Sequence, residues 1–136
     1  MRKFFISYIA SALVFCTLDL IWLSVARNFY VGEIGSLLLA APRVEPALAF
    51  YVVYLIGIVS FAVSPAIAAD SLKKAFGCGA LLGLVAYATY DLSNLATLQG
   101  WTTRLALVDI AWGAIATSIA AACGFALAKR MGQRFE

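Results

Sequence analysis

Thr89-Tyr90-Asp91-Leu92-Ser93-Asn94-Leu95 sets a carboxylate inside a run, Ala75 to Thr97, that is otherwise apolar enough to cross a bilayer. A hydrocarbon core of about 30 Å takes roughly 20 apolar residues in a helix. Three more stretches meet that length: Phe4 to Ala26, Ala47 to Ala69 and Leu105 to Ala128. Composition points the same way. Of 136 residues, 64% are hydrophobic and 12% charged, whereas an ordinary soluble domain carries about 25% charged residues. The chain therefore reads as all-α: a single integral-membrane four-helix transmembrane bundle over residues 1–136, with membrane lipids as its solvent and first partners.

Orientation follows from the basic residues. With four crossings, Arg2, Lys3, Lys73, Lys74, Lys129, Arg130 and Arg134 fall on one side, and Arg27, Arg43 and Arg104 on the other. Lysine and arginine accumulate in cytoplasmic segments, so both termini are expected in the cytoplasm. The net charge of +3 is spread over segment ends and makes no clustered basic face, so no nucleic-acid partner is expected. The N-terminus resembles a secretory signal, but no small-x-small site follows the apolar run, which continues to Ala26. Retention as the first span is expected. Pro46 suits the start of the second helix, and Pro65 is expected to kink or end it. The first outer connection, Arg27 to Pro46, holds Phe29-Tyr30-Val31 and Leu37-Leu38-Leu39. These are too apolar for a solvated loop, which predicts a short interfacial helix between spans 1 and 2.

The chemistry rests on Asp19, Asp91 and Asp109, the carboxylates within the spans. At about 1.5 Å of rise per residue, each lies roughly 6–10 Å below the outer end of its helix. An ionised group at the middle of a span costs about 2.5–3.5 kcal/mol on the insertion scale and faces the bundle interior or water. One acid-lined cavity in the outer half of the bundle accounts for all of them. Tyr87, Asp91 and Asn94 share a helix face by their spacing. Tyr54 and Tyr51 lie below the outer end of the second span. Asp19-x-x-Trp22 and Asp109-x-x-Trp112 place an indole beside the acid of each helix. Phenol and indole groups supply O–H and N–H donors for a carboxylate in a low dielectric. The same bonds also lock helices together in lipid, so a binding role and a purely structural one both stay open. Like charges at close range repel, which calls for a proton or a cation among them. Arg27 and Arg104 are candidate counter-charges. Trp101, Phe29 and Tyr30 read as an interfacial aromatic belt, and Gly79-x-x-x-Gly83 as a close-packing seam, with Gly113 and Thr117 serving likewise. Thr17-Leu18-Asp19-Leu20-Ile21-Trp22-Leu23 repeats the Thr-x-Asp-Leu-x-x-Leu pattern of residues 89–95, which leaves duplication and coincidence open.

Other chemistries find no support. The chain has no histidine, and Cys16, Cys78 and Cys123 are scattered singly through apolar runs, reading as small core residues. No metal site and no cofactor are expected, and no phosphate-binding, zinc or nucleophile-elbow motif occurs. The string Val85 to Leu98, then Gly100-Trp101, then Leu107-Val108-Asp109-Ile110-Ala111-Trp112-Gly113 resembles a family of small four-helix bacterial membrane proteins known as a domain of unknown function. Leu18 to Leu23 and Phe50-Tyr51-Val52-Val53-Tyr54 fit the same pattern. The resemblance implies a bacterial inner-membrane location and no particular activity. The leading expectation is binding or transport of a small cationic or proton-coupled solute, with Asp91 central and Asp19 and Asp109 as its partners. The alternatives are a membrane enzyme on a lipid or isoprenoid substrate, and a structural or assembly subunit with a membrane-protein partner or a second copy of itself.

Overall fold

The structure is a computed structural model that describes residues 2–133, with side chains described for residues 4–131. Arg134 lies outside the described residues, and nothing is drawn from the side chains of Arg2 and Lys3. The chain folds as α1 (Arg2–Ile34), α2 (Val44–Ala68), α3 (Leu72–Thr97) and α4 (Thr103–Gln133). All of these helices are long and apolar enough to cross a membrane. They alternate in direction. The Ser11 hydroxyl near the start of α1 donates to the Ala120 carbonyl in the second half of α4, 3.1 Å away. At the other end, Arg104 at the start of α4 meets Glu33 at the end of α1. Helix α4 is the spine, packing along both α1 and α3.

The distribution of side chains is that of a protein in lipid. Large aliphatic residues point outward: Leu13, Ile21, Val25, Val53, Leu81 and Leu107 are all more than half exposed. The interior is lined largely by small or polar groups: Ala62, Ala75, Ala116, Ala120, Ser7, Ser11 and Thr117 are completely buried, as is Asp91. In lipid, outward apolar surface costs nothing, and close helix approach through small residues supplies the packing. The glycine seam does this between α3 and α4. A Cβ at Gly79 would sit 2.8 Å from the Ser118 Cα, and one at Gly83 would run into the Gly113 carbonyl. The three cysteines are free and half-buried.

Two boundaries differ from expectation. The first helix does not stop near Ala26. It runs two further turns to Ile34, because no breaker occurs before Gly32 and because Tyr30 and Glu33 find partners on α4. The connection to α2 holds one short helical turn, Gly35–Leu37, followed by irregular chain. In α2, Pro65 does not end the helix. A wide-turn segment, Ile58–Val63, precedes it, with the Ser64 N–H reaching back to the Val59 carbonyl, and regular helix resumes over Ser64–Ala68. Proline lacks the N–H that would bond four residues back, and its ring crowds that carbonyl. A widened turn relieves the conflict without breaking the helix. This segment packs against α1, α3 and α4 and includes some of the most deeply buried residues of α2. The outer portion of α2, Val44–Gly57, packs on α1 and meets α3 through the rings of Tyr54 and Tyr87. Ser71 caps α3 by accepting from the Lys74 N–H at 3.2 Å, and Thr102 caps α4 by accepting from the Leu105 N–H at 3.2 Å.

Candidate functional site

The residues Asp19, Trp22, Ala26, Tyr30 and Glu33 recur at steps of three and four on α1, which brings them onto one face. That face meets α4. The indoles of Trp22 and Trp112 stack between the two helices, with ring centroids 4.5 Å apart and planes within 8°. Each N–H leads to the acid of the opposite helix, Trp112 directly and Trp22 through Tyr30 of its own helix. Trp112 Nε1 lies 3.5 Å from Asp19 Oδ1. Trp22 Nε1 donates to the Tyr30 hydroxyl at 2.9 Å, and that hydroxyl donates in turn to Asp109 Oδ1. The sequence spacing suggested that each indole serves the acid of its own helix. The stacked geometry crosses them instead. Asp19 gains a second donor from α2, the Tyr51 hydroxyl at 2.5 Å.

A single chain of contacts therefore joins Tyr51, Asp19, Trp112, Trp22, Tyr30 and Asp109 across α2, α1 and α4. Tyr87 of α3 packs on the flank of this chain. Its ring covers Gly113, where an added Cβ would overlap it, and it meets the Tyr54 ring edge-to-face at 6.3 Å. The Tyr54 hydroxyl is held by Thr117 Oγ1 at 2.7 Å.

Between the outer part of α2 and α3 lies a cavity of about 590 Å³. Its walls carry the rings of Phe50, Tyr54, Tyr87 and Tyr90, and Asp109 supplies its one carboxylate. Asp109 is 8% exposed, so its charge lies in a nearly dry setting. Four aromatic rings and one buried carboxylate therefore make up the chemically distinctive part of its lining.

The three aspartates are not equivalent. Asp19 lies beside Trp112, three residues farther along α4 than Asp109. Of the three, Asp109 lines the cavity. Asp91 is completely buried, and neither of its carboxylate oxygens has a hydrogen-bond partner among the described residues. Its polar neighbours are Asp109 and Trp101, whose buried Nε1 is equally unpartnered. Asn94 is half-buried, one turn beyond Tyr90, and takes no part in lining the cavity. Arg104 spends its charge on Glu33 at 3.4 Å and on the Phe29 ring at 5.3 Å, not on the aspartates. Arg27 makes no ion pair among the described residues. Among those residues, too, no group of His, Cys, Asp and Glu is placed to hold a metal.

Two side chains take partners that their spacing does not give. Tyr30 was expected in the interfacial belt, yet it bridges Trp22 and Asp109. Its signal was the unbroken three- and four-residue spacing from Asp19 to Glu33. Tyr51 was grouped with Tyr54 by depth, but only the fold reveals that the two phenols serve different partners, Asp19 and Thr117.

Neither curated proteins nor solved structures yield a match to this chain. A family model does, over residues 4–126, a range that takes in all four helices and every residue of the aromatic and acidic network. The chain thus belongs to the family described as predicted membrane protein DUF2177.

Proposed function

We propose that this membrane protein binds, and carries, a small organic cation at Asp109. The observation that supports the reading is the aromatic-walled cavity with Asp109 as its one carboxylate. A cation bound there exchanges water for ring faces and a carboxylate already held by the Tyr30 hydroxyl. Little reorganisation is then needed on binding, which favours affinity. Protons compete with the cation for the same oxygens, the usual logic of carboxylates at membrane depth. Binding therefore weakens as pH falls, and a proton gradient is a natural coupling source. A bacterial inner membrane with both termini in the cytoplasm belongs to the same proposal, supported by the family resemblance and the Lys/Arg asymmetry of the loops.

The test is titration of the purified protein in lipid nanodiscs with tetramethylammonium, followed by tryptophan fluorescence. Saturable binding is expected, at least tenfold weaker in Asp109→Asn and weaker at lower pH. Equal binding by the variant would overturn the reading.

A further inference from the structure

Resting on that reading, the geometry points to a ligand that is itself membrane-borne: we infer that the cavity takes a single-chain alkylammonium amphiphile, entering sideways from the outer leaflet between α2 and α3. Three observations carry this. First, the cavity adjoins the outer surface of α2. A second depression of about 400 Å³ shares Pro46, Phe50 and Tyr54 with it and extends over Ala49 and Val53. Val53 is 69% exposed and Phe50 44% exposed, on a helix whose outward face lies in lipid. Second, the cavity separates Pro46 and Phe50 of α2 from Ala86 and Tyr90 of α3, and the two helices meet at its inner end through the Tyr54 and Tyr87 rings. The widened segment Ile58–Val63 anchors α2 deeper in the bundle, where it packs on α1, α3 and α4. Third, the outer end of the α1–α4 interface is clasped. Glu33 of α1 accepts from the Thr102 hydroxyl and pairs with Arg104, tying the ends of α1 and α4 together.

The trench is thus polar at one end and apolar along the rest. An ammonium head fits Asp109 and the rings, and an alkyl tail fits the strip over Ala49 and Val53, where it exchanges lipid neighbours for protein ones. Such a ligand moves between leaflet and cavity without crossing water. The head group supplies the binding energy, because a tail gains little on leaving one apolar medium for another.

The probe is a dodecylamine carrying a diazirine at the chain end, held at a fixed mole fraction of zwitterionic lipid in nanodiscs. Photolysis and peptide mapping should place the label on Val44–Gly57, in yield at least tenfold above Asp109→Asn. The substitution Ala49→Trp, which fills the outer trench, should suppress labelling while leaving tetramethylammonium binding intact. Label scattered over lipid-facing Leu20 and Leu107 in equal yield with and without Asp109, beside retained tetramethylammonium binding, overturns lateral entry and leaves the cation site standing. Loss of both signals overturns the cation site and the inference with it. Loss of tetramethylammonium binding in Ala49→Trp, with the protein still folded by circular dichroism, also counts against a separate tail strip.

Discussion

Asp19 and Asp91 occupy matching places in the repeated Thr-x-Asp-Leu-x-x-Leu pattern, yet they live in opposite circumstances. Asp19 accepts from Tyr51 and faces the Trp112 indole, whereas both oxygens of Asp91 are buried without a partner among the described residues. Removing a satisfied buried acceptor costs about 1–3 kcal/mol, while removing an unsatisfied one costs little. Asp19→Asn should therefore lower the thermal midpoint in detergent, and Asp91→Asn should leave it unchanged or raise it. The opposite order would mean that Asp91 has a partner that matters. The Tyr30 hydroxyl stands between Trp22 and Asp109, so Tyr30→Phe strips one donor from the carboxylate and one acceptor from the indole. A hydrogen bond to a charged group contributes about 1.5–3 kcal/mol, so tetramethylammonium binding should fall by roughly tenfold or more. Much of this site was legible beforehand. Intramembrane aspartates announce themselves by cost, and Trp22, Tyr54, Tyr87 and Trp112 follow from helical spacing. The ranking among the acids was not legible. Spacing gives depth along one helix, but the stagger between helices depends on which small residues meet, and that decides whether Asp91 or Asp109 reaches the cavity.

Helices α3 and α4 meet through glycine, and that contact is testable by size alone. At Gly83 an added Cβ meets the Gly113 carbonyl and lies 2.8 Å from Thr117 Oγ1, while at Gly77 on the same helix nothing lies within 4 Å. Gly83→Ala should destabilise by about 1–3 kcal/mol, the usual range for overpacking, and Gly77→Ala should have little effect. Chemical unfolding of both variants in detergent checks the pair. The seam was readable from Gly79-x-x-x-Gly83, because in lipid small residues at that spacing have few other uses. The path of α2 was not. Pro65 signalled a disturbance, but whether the helix would end, kink or widen depended on Ile58, Ala62 and Val63 finding a packed site that holds the helix together across the defect. Pro65→Ala restores the missing donor, and α2 is expected to straighten toward α3 and narrow the cavity. Spin labels at Val53 and Val85, both exposed, should move closer together, and cation binding should weaken. An unchanged distance would separate the gap from the proline.

The bundle as a whole has two unlike ends, and their charges carry the proposed orientation. One end carries the turn between α2 and α3, where Asp70 pairs with Lys129 of α4 at 2.6 Å and Lys73 and Lys74 stand exposed. The other carries Arg27, Arg43 and Arg104, with Arg104 already matched by Glu33. Net positive charge therefore gathers at the first end, and the aromatic cavity opens nearer the second. Because basic residues in short loops resist translocation while acidic ones count for little, Asp70 does not cancel the bias of its neighbours. A reporter fused at the C-terminus should behave as cytoplasmic: green fluorescent protein should glow and alkaline phosphatase should be inactive. Phosphatase inserted between Leu38 and Arg43 should be active. The cavity depends on this outcome. A carboxylate that meets its ligand in the outer leaflet requires Asp109 in the outer half. Active phosphatase at the C-terminus would invert the molecule, place the mouth between α2 and α3 in the inner leaflet, and reassign the ligand to that side of the membrane.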